Sequence, residues 1–168
     1  IYIEQSIAKS FRVSEGKISD IASSYSTGAG LRVIKGNNTG YSYTENLSGQ
    51  NLRRCLDEAA EIAGSTQPFG VGGFTGRHLL YEAKGSVDDN PGQKVNLLRR
   101  AEQKAFSLSP LVEKVEAYLA ESHKSILIIN SAGVEAYDIR PLISFGISVI
   151  VHKNHRRESG YQGGGGRL

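Results

Sequence analysis

The side chains most able to do chemistry in this sequence are its histidines, because imidazole nitrogens are common ligands for zinc. They are His78, His123, His152 and His155. The closest pair, in H-K-N-H, follows a predicted strand, where a separation of three residues does not place both rings on one side. The sequence also lacks the H-E-x-x-H pattern of two histidines one helical turn apart. We therefore predict no metal ligand in this chain.

One cysteine and two glycine clusters are the remaining candidates for reactive or binding sites. Cys55 falls on the apolar side of a predicted helix, which favours a core residue over a reactive thiol. A single cysteine also excludes a disulfide within the chain. The glycines at 70–76 and 163–166 lack both the G-K-[ST] and the strand-to-helix position of a phosphate-binding loop. With no G-x-S-x-G elbow present, we predict no catalytic residue and no nucleotide site.

Composition places the chain among ordinary globular domains. Its 168 residues suit one domain, with 39% hydrophobic and 22% charged residues. A net charge of +3 is weak support for nucleic-acid binding. The one segment that could bind phosphate is Arg156-Arg157, which lies beside glycines. We expect no direct contact with nucleic acid. No apolar run approaches the roughly 18 residues that span a bilayer, and the opening segment lacks signal-peptide order. We expect a cytoplasmic protein without membrane contact.

The elements that would position a site begin with a predicted antiparallel sheet. Alternating apolar and polar side chains indicate strands, and Glu15-Gly16-Lys17 predicts a tight turn. Gly28-Ala29-Gly30 should break the chain, and the run 36–40 is a strong hairpin signal because Asn and Gly accept positive φ. The first strands are predicted at residues 2–13, 18–26, 31–34 and 41–44.

Two amphipathic helices are predicted next. Ser48 is a good N-cap for the first, and Gly64 ends it. Asn90-Pro91 starts the second with an N-cap followed by proline, and residues 65–90 between them read as a functional or mobile loop. Lys94, Arg99, Arg100 and Lys104 should form a solvated basic face. The predicted buried faces are Leu52, Cys55, Leu56, Ala59, Ile62 and Ala63 in the first helix, and Val95, Leu98, Ala101, Ala105 and Leu108 in the second.

A second set of strands is predicted at residues 112–119, 124–130, 134–139 and 142–151. Strands in consecutive hairpins with helices grouped between them indicate an α+β fold. The sheet should be largely antiparallel, in two sets of about four strands, with both helices packed on one face.

The last predicted strand leads into the polar turn H-K-N-H-R-R-E-S and then G-Y-Q-G-G-G-G-R-L. Four consecutive glycines have wide backbone freedom and nothing to pack, so we predict a flexible segment here. Residues 1–162 are therefore predicted to form the α+β domain, and residues 163–168 a glycine-rich segment that leads away from it.

Two stretches resemble the N-terminal domain of the TldD/PmbA family of bacterial metallopeptidases, also called modulators of DNA gyrase. One is R-R-E-S-G-Y-Q-G-G-G-G-R with the D-I-R-P-L and hydrophobic strand before it. The other is S-F-R-V-S-E-G-K-I-S-D-I, followed by G-A-G-L-R-V-I-K-G and T-G-Y-S-Y-T-E-N-L-S. Both occur in the family's order, while residues 64–90 do not contribute.

The resemblance implies a cytoplasmic peptidase that acts on peptides or unfolded segments and pairs as a homodimer or heterodimer with a related family member. The family's zinc site lies on an H-E-x-x-x-H helix in a C-terminal domain, which this chain does not contain. The chain would then supply dimerisation and substrate selection and be inactive alone. The alternative is a non-catalytic PmbA-type partner or interaction module.

The end of the chain is the predicted substrate-binding segment in this interpretation. Strand-end segments often carry functional groups, and glycine lets another backbone approach closely. The predicted peptide-binding residues are Arg157, Glu158, Tyr161, Gly163, Gly164, Gly165, Gly166 and Arg167.

Overall fold

The structure, a computed structural model, describes residues 1–65, 75–77 and 90–167. Within these ranges neither helix is long and apolar enough to cross a membrane. The helices are α1 (Gly49–Ile62) and α2 (Pro91–Leu108); the strands are β1 (Tyr2–Ser14), β2 (Lys17–Lys35), β3 (Asn38–Thr44), β4 (Thr75–Arg77), β5 (Val112–Ile129), β6 (Val134–Lys153) and β7 (Arg156–Arg167).

All seven strands belong to one sheet in the order β3-β2-β1-β5-β6-β4, and β7 pairs with β6. The β2–β3 and β6–β7 pairs are antiparallel, whereas β4 is parallel to β6. The predicted α+β class with a largely antiparallel sheet is therefore confirmed. In the described ranges three long strands precede α1 and three follow α2, instead of four and four. That both helices pack on one face stays a prediction.

The chain divides into two compact units, each with its own helix. The first comprises residues 1–6, 25–82 and 124–139, and the second comprises residues 7–24, 83–123 and 140–168. Four of the long strands, β1, β2, β5 and β6, contribute residues to both units.

The core of the first unit forms where α1 packs on β2 and β3. Ala29, Leu31 and Val33 alternate along β2 and are buried, as the period of two in a strand requires. Cys55 is also buried, with its sulfur 3.5 Å from the carbonyl oxygen of Tyr43. The predicted role of Cys55 as a core residue is confirmed.

The core of the second unit lies between α2 and strands β1, β5 and β6. Phe11 and Val13 of β1 pack with Val95 and Leu98 of α2. The β5 residues Ala117 and Leu119 complete the buried cluster, and the half-buried side chains packed against it are Ile143, Phe145 and Ile147 of β6.

The predicted helix caps are confirmed, but each predicted buried face contains one exposed residue near the end of its helix. Ser48 caps α1 and Asn90 caps α2, each accepting backbone N–H bonds from the first turn. Ile62 and Leu108 are 64% and 73% exposed. Each is the last residue of its helix, and the predicted core residue Ala63, directly after Ile62, is buried.

The predicted break at Gly28-Ala29-Gly30 is wrong, because β2 continues through it. A methyl group on Gly30 would lie 2.6 Å from the hydroxyl oxygen of Tyr41. Glycine at this position therefore makes room for a tyrosine of the neighbouring strand instead of turning the chain.

Two further predicted interruptions are also absent. Residues 112–119 and 124–129 belong to the single strand β5, and residues 134–139 and 142–151 to the single strand β6. Pro141 sits in β6 directly before Leu142, the first residue paired with β7. Its missing N–H therefore leaves no gap in the β6–β7 ladder.

Candidate functional site

The C-terminal segment is a strand, so the predicted flexible glycine segment is wrong. β7 is antiparallel to β6 over its whole length, from Lys153 opposite Arg156 to Leu142 opposite Arg167. Asn154 and His155 form the two-residue turn between them, with φ of 49° and 65°, as a tight hairpin requires. Every residue of β7 is exposed.

Two of the four consecutive glycines are explained by packing. A methyl group on Gly163 would overlap the Tyr161 hydroxyl, and one on Gly165 would lie 2.5 Å from the carbonyl oxygen of Ile143. A larger residue at Gly165 would push β7 away from β6, and one at Gly163 would displace the Tyr161 side chain. Because Gly163 and Gly165 carry no side chain, this run of glycines can pair with β6 as a strand.

The other two glycines have no such explanation. No described atom lies within 4 Å of the position that a methyl group would take on Gly164 or Gly166. They are opposite Phe145 and Ile143 in the ladder and share a sheet face with them. Glycine in a strand without an internal packing reason often marks the close approach of a ligand or another backbone.

Tyr161 is held by an aromatic partner that the sequence analysis did not identify. Its ring stacks on Tyr118 of β5, with centroids 6.5 Å apart and planes 7° from parallel. The two hydroxyl oxygens are 2.8 Å apart. This hydrogen bond, together with some burial and the nearness of a second phenol, raises the pKa of Tyr161 above its usual value. Gly146 of β6 lies beneath the pair, where any side chain would overlap Tyr118.

Two arginines near the β6–β7 turn form ion pairs with glutamates of this chain. Arg157 donates two hydrogen bonds to the Glu113 carboxylate, one of them 2.9 Å long. Glu158 accepts from Arg156 at 2.6 Å. Arg157 and Glu158 therefore stabilise the hairpin locally, and both pairs are exposed enough to exchange for a ligand at small cost.

A groove of about 500 Å³ lies in the second unit beside the last residues of β7. Its floor includes Glu121, which is 9% exposed and accepts a 2.6 Å hydrogen bond from the Lys94 ammonium. Lys94 was predicted on the solvated face of α2; it is instead buried, with its ammonium 5.5 Å from the Phe11 ring centroid. The lining of the groove includes Ala8, Ala120, Glu121, Ile143, Gly166 and Arg167.

The structure thus divides the predicted site residues into three groups. Gly166 and Arg167 line the groove, and Gly164 lies two residues away on the open side of β7. Arg157 and Glu158 lie near the hairpin turn, and Tyr161, Gly163 and Gly165 shape the strand. Tyr118 and Glu121 could not be identified from the sequence, since each looks like one residue of an alternating strand until β5 is placed beside β6.

No three histidine, cysteine or acidic side chains converge to hold a metal ion among the residues that the structure describes. His123, His152 and His155 are exposed. His78 and residues 70–74 of the first glycine cluster lie outside the described ranges.

Two family models match the chain. Residues 1–63 match PmbA/TldA metallopeptidase domain 1, and residues 85–168 match the PmbA/TldA metallopeptidase central domain. The metalloprotease TldD homolog of Buchnera aphidicola subsp. Schizaphis graminum is 31% identical and covers 99% of this chain and 35% of its own length. The metalloprotease TldD homolog of Haemophilus influenzae is 29% identical, and the match covers 100% of this chain and 36% of the relative's length. The chain therefore spans about a third of the length of these relatives.

Solved structures show the same fold. A Thermotoga maritima protein named as a candidate modulator of DNA gyrase superposes with a TM-score of 0.79 at 17% identity, covering 99% of this chain and 38% of its own. TldE of Thermococcus kodakarensis gives a TM-score of 0.62 at 13% identity, and the match covers 99% of this chain and 40% of the TldE chain.

Proposed function

The chain belongs to the PmbA/TldD metallopeptidase family, and from that membership we propose that it is the substrate-selecting part of a zinc metallopeptidase that cleaves peptides or unfolded segments. The relatives with 29–32% identity all carry the name TldD homolog, which favours a catalytic protein over a PmbA-type partner. The zinc site is assigned to the part of the full-length protein that matches the remaining two thirds of these relatives. Pairing with a related family member and a cytoplasmic location belong to the proposal, and sedimentation and cell fractionation test them.

The observation that carries this proposal is the exposed outer edge of β7. Among the described strands β7 pairs with β6 alone. Alternate N–H and C=O groups of its backbone therefore point away from the sheet. An extended peptide can add to such an edge as a further strand, with main-chain hydrogen bonds for affinity and side-chain pockets for selectivity.

Gly164 and Gly166, which have open space beside them, determine which side chains of a bound peptide the protein can recognise. Side chains of an added strand alternate between the two sheet faces. On the face of Gly164 and Gly166, peptide side chains meet no side chain of β7 and can reach the groove beside Ile143. On the other face of the sheet, Tyr161 of β7 and its stacked partner Tyr118 would lie beside the bound peptide. The groove is thus the natural place for the peptide side chain that the enzyme selects.

Filling the bare glycines tests the proposal in the full-length protein. We expect Gly164→Ala with Gly166→Ala to lower kcat/KM for a peptide by about tenfold, equal to roughly 1.4 kcal/mol of transition-state binding. Stability should stay the same or rise, since each alanine restricts the unfolded chain without meeting a described atom.

Gly49→Ala is the matched control, because it also adds a methyl group to open space, in α1. Turnover should be unchanged in this variant. If the double β7 variant keeps full turnover, the peptide does not follow β7 and the proposal is wrong.

A further inference from the structure

The outward side of α2 carries positive charge that no acid of the helix balances. Arg99, Arg100 and Lys104 are exposed and form no salt bridge with any residue that the structure describes. The helix has one acid, Glu102, which is 2% exposed and accepts the N–H of Gly16 in the β1–β2 turn at 3.0 Å. Within the part of the chain that the structure describes, no acid therefore neutralises the positive charge on this side of α2.

This arrangement does not help the helix itself. Arg100 and Lys104 are four residues apart and repel each other, where a solvated helix commonly alternates acids with bases. The second unit as a whole has fourteen lysines and arginines against nine acids, while the first has six against eight. An anionic partner would be steered to the second unit.

Apolar side chains lie among these cations at helical spacing. Leu97 is 47% and Leu108 is 73% exposed, and Ala101 lies between them on the same flank of α2. Leu97 and Ala101, together with Arg100 and Lys104, border a shallow groove of about 570 Å³. The core stripe of α2 is formed by Val95, Leu98 and Ala105, and this second stripe leaves Leu97 and Leu108 exposed.

We propose that the surface formed by Leu97, Arg100, Ala101, Lys104 and Leu108 docks an acidic amphipathic segment of another protein chain. Apolar residues spaced one helical turn apart in the partner would cover Leu97, Ala101 and Leu108. Carboxylates beside them would pair with Arg100 and Lys104. Phosphates of a nucleic acid would satisfy the two cations but leave both leucines in water, and for this reason a protein partner fits better.

A synthetic acidic peptide is the probe, with leucines at i, i+3, i+4 and i+7 and glutamates on the flanks. We expect it to bind the purified protein in a fluorescence anisotropy titration, and to bind less tightly as salt is raised. The same peptide with lysine in place of glutamate should not bind. Arg100→Glu with Lys104→Glu should weaken binding by roughly tenfold or more.

Two further variants separate the surface from net charge. Arg32→Glu with Arg53→Glu makes the same charge change in the first unit, at exposed residues, and should leave binding within about twofold of the unmodified protein. Leu97→Ser with Leu108→Ser leaves the charge unchanged and should weaken binding several-fold. Circular dichroism of each variant verifies that it is folded.

Three outcomes would overturn the proposal: no binding of the acidic peptide, equal loss in both charge variants, or no effect of the leucine variant. Tighter binding of a DNA duplex, lost through the same two cations, would assign the surface to nucleic acid instead.

Discussion

Tyr161 shows how one residue can serve both the strand that carries it and the surface beside it. Its ring stacks on Tyr118 and fills the space that Gly163 leaves empty. The Tyr161 hydroxyl also lies over Gly146 of the neighbouring strand β6, and a tyrosine that covers bare glycine backbone in this way stabilises pairing at a sheet edge. The same contact fixes the wall of the proposed peptide path on this face of β7.

The hydrogen bond between the two tyrosines predicts a distinct pH dependence. Because the bond raises the pKa of Tyr161, its phenol should lose its proton at higher pH than an ordinary exposed tyrosine. The stabilisation from the neutral O–H form is then present at neutral pH and lost only as pH rises through the raised pKa. NMR of isotope-labelled tyrosine should follow this titration.

Tyr118→Phe removes the hydrogen bond and keeps the stacked ring. The pKa of Tyr161 should then fall back towards its usual value. Tyr25→Phe is the control, since Tyr25 is exposed in the first unit and bonds to Gln5 instead. An unchanged Tyr161 titration in the Tyr118 variant would contradict the origin given for the shift.

The contact between α1 and β3 depends on one glycine, and it allows a prediction at the scale of elements. Gly40 of β3 lies directly beneath α1, and a methyl group there would overlap the Ala59 carbonyl. Gly40→Ala must push the helix off the strand, which should cost about 1–3 kcal/mol of unfolding free energy. Urea unfolding measures this directly.

Gly49→Ala again provides the matched comparison for Gly40→Ala. It places the same methyl group in open space at the start of α1, so it should leave the unfolding free energy nearly unchanged. Equal stability of the two variants would mean that α1 can shift on β3 at no cost.

Turns and helix ends could be predicted from the sequence because they are local. Gly16, Gly36 and Gly64 have positive φ, as their turn or cap positions require. The glycines inside β2, β6 and β7 could not be read in this way. Gly30, Gly146 and Gly163 make room for tyrosines, and for the first two the tyrosine lies on another strand, so the reason depends on which strands are neighbours.

The C-terminal segment could be singled out by its composition, but its structure could not be predicted from it. The motif G-G-G-G-R indicates a segment that another backbone can approach, because glycine carries no side chain, and that a peptide binds there stays a prediction. That segment is an edge strand whose consecutive glycines face opposite sides, and the buried pair Lys94–Glu121 beneath the groove joins residues 27 positions apart. Such pairing between distant residues leaves no periodic signal in the sequence.

At the scale of the whole molecule, the two units differ in charge and in the surfaces they offer. The second contains the edge strand β7, the groove at Glu121 and the basic side of α2. The first buries a compact alanine-rich contact between α1 and its strands. The surfaces proposed for binding therefore both lie in the unit with excess positive charge.

The last prediction is that the 168-residue chain alone neither binds zinc tightly nor hydrolyses peptides. Tight zinc binding needs three or four ligands within about 2.0–2.3 Å of the ion. His152 and His155 flank Lys153 and are followed by Arg156 and Arg157, and this positive charge opposes a divalent cation. His123 is exposed on β5, where ordering distant ligands around it would cost conformational entropy.

Zinc titration by calorimetry and a peptide-cleavage assay on the purified chain measure both parts of this prediction. A full-length protein that carries the chain is the positive control, and its cleavage should be lost with a chelator. Stoichiometric micromolar zinc binding by the short chain, or turnover that a chelator abolishes, would place a metal site within these 168 residues. The β7 edge would then belong to the catalytic centre itself, instead of presenting the peptide to a centre elsewhere in the full-length protein.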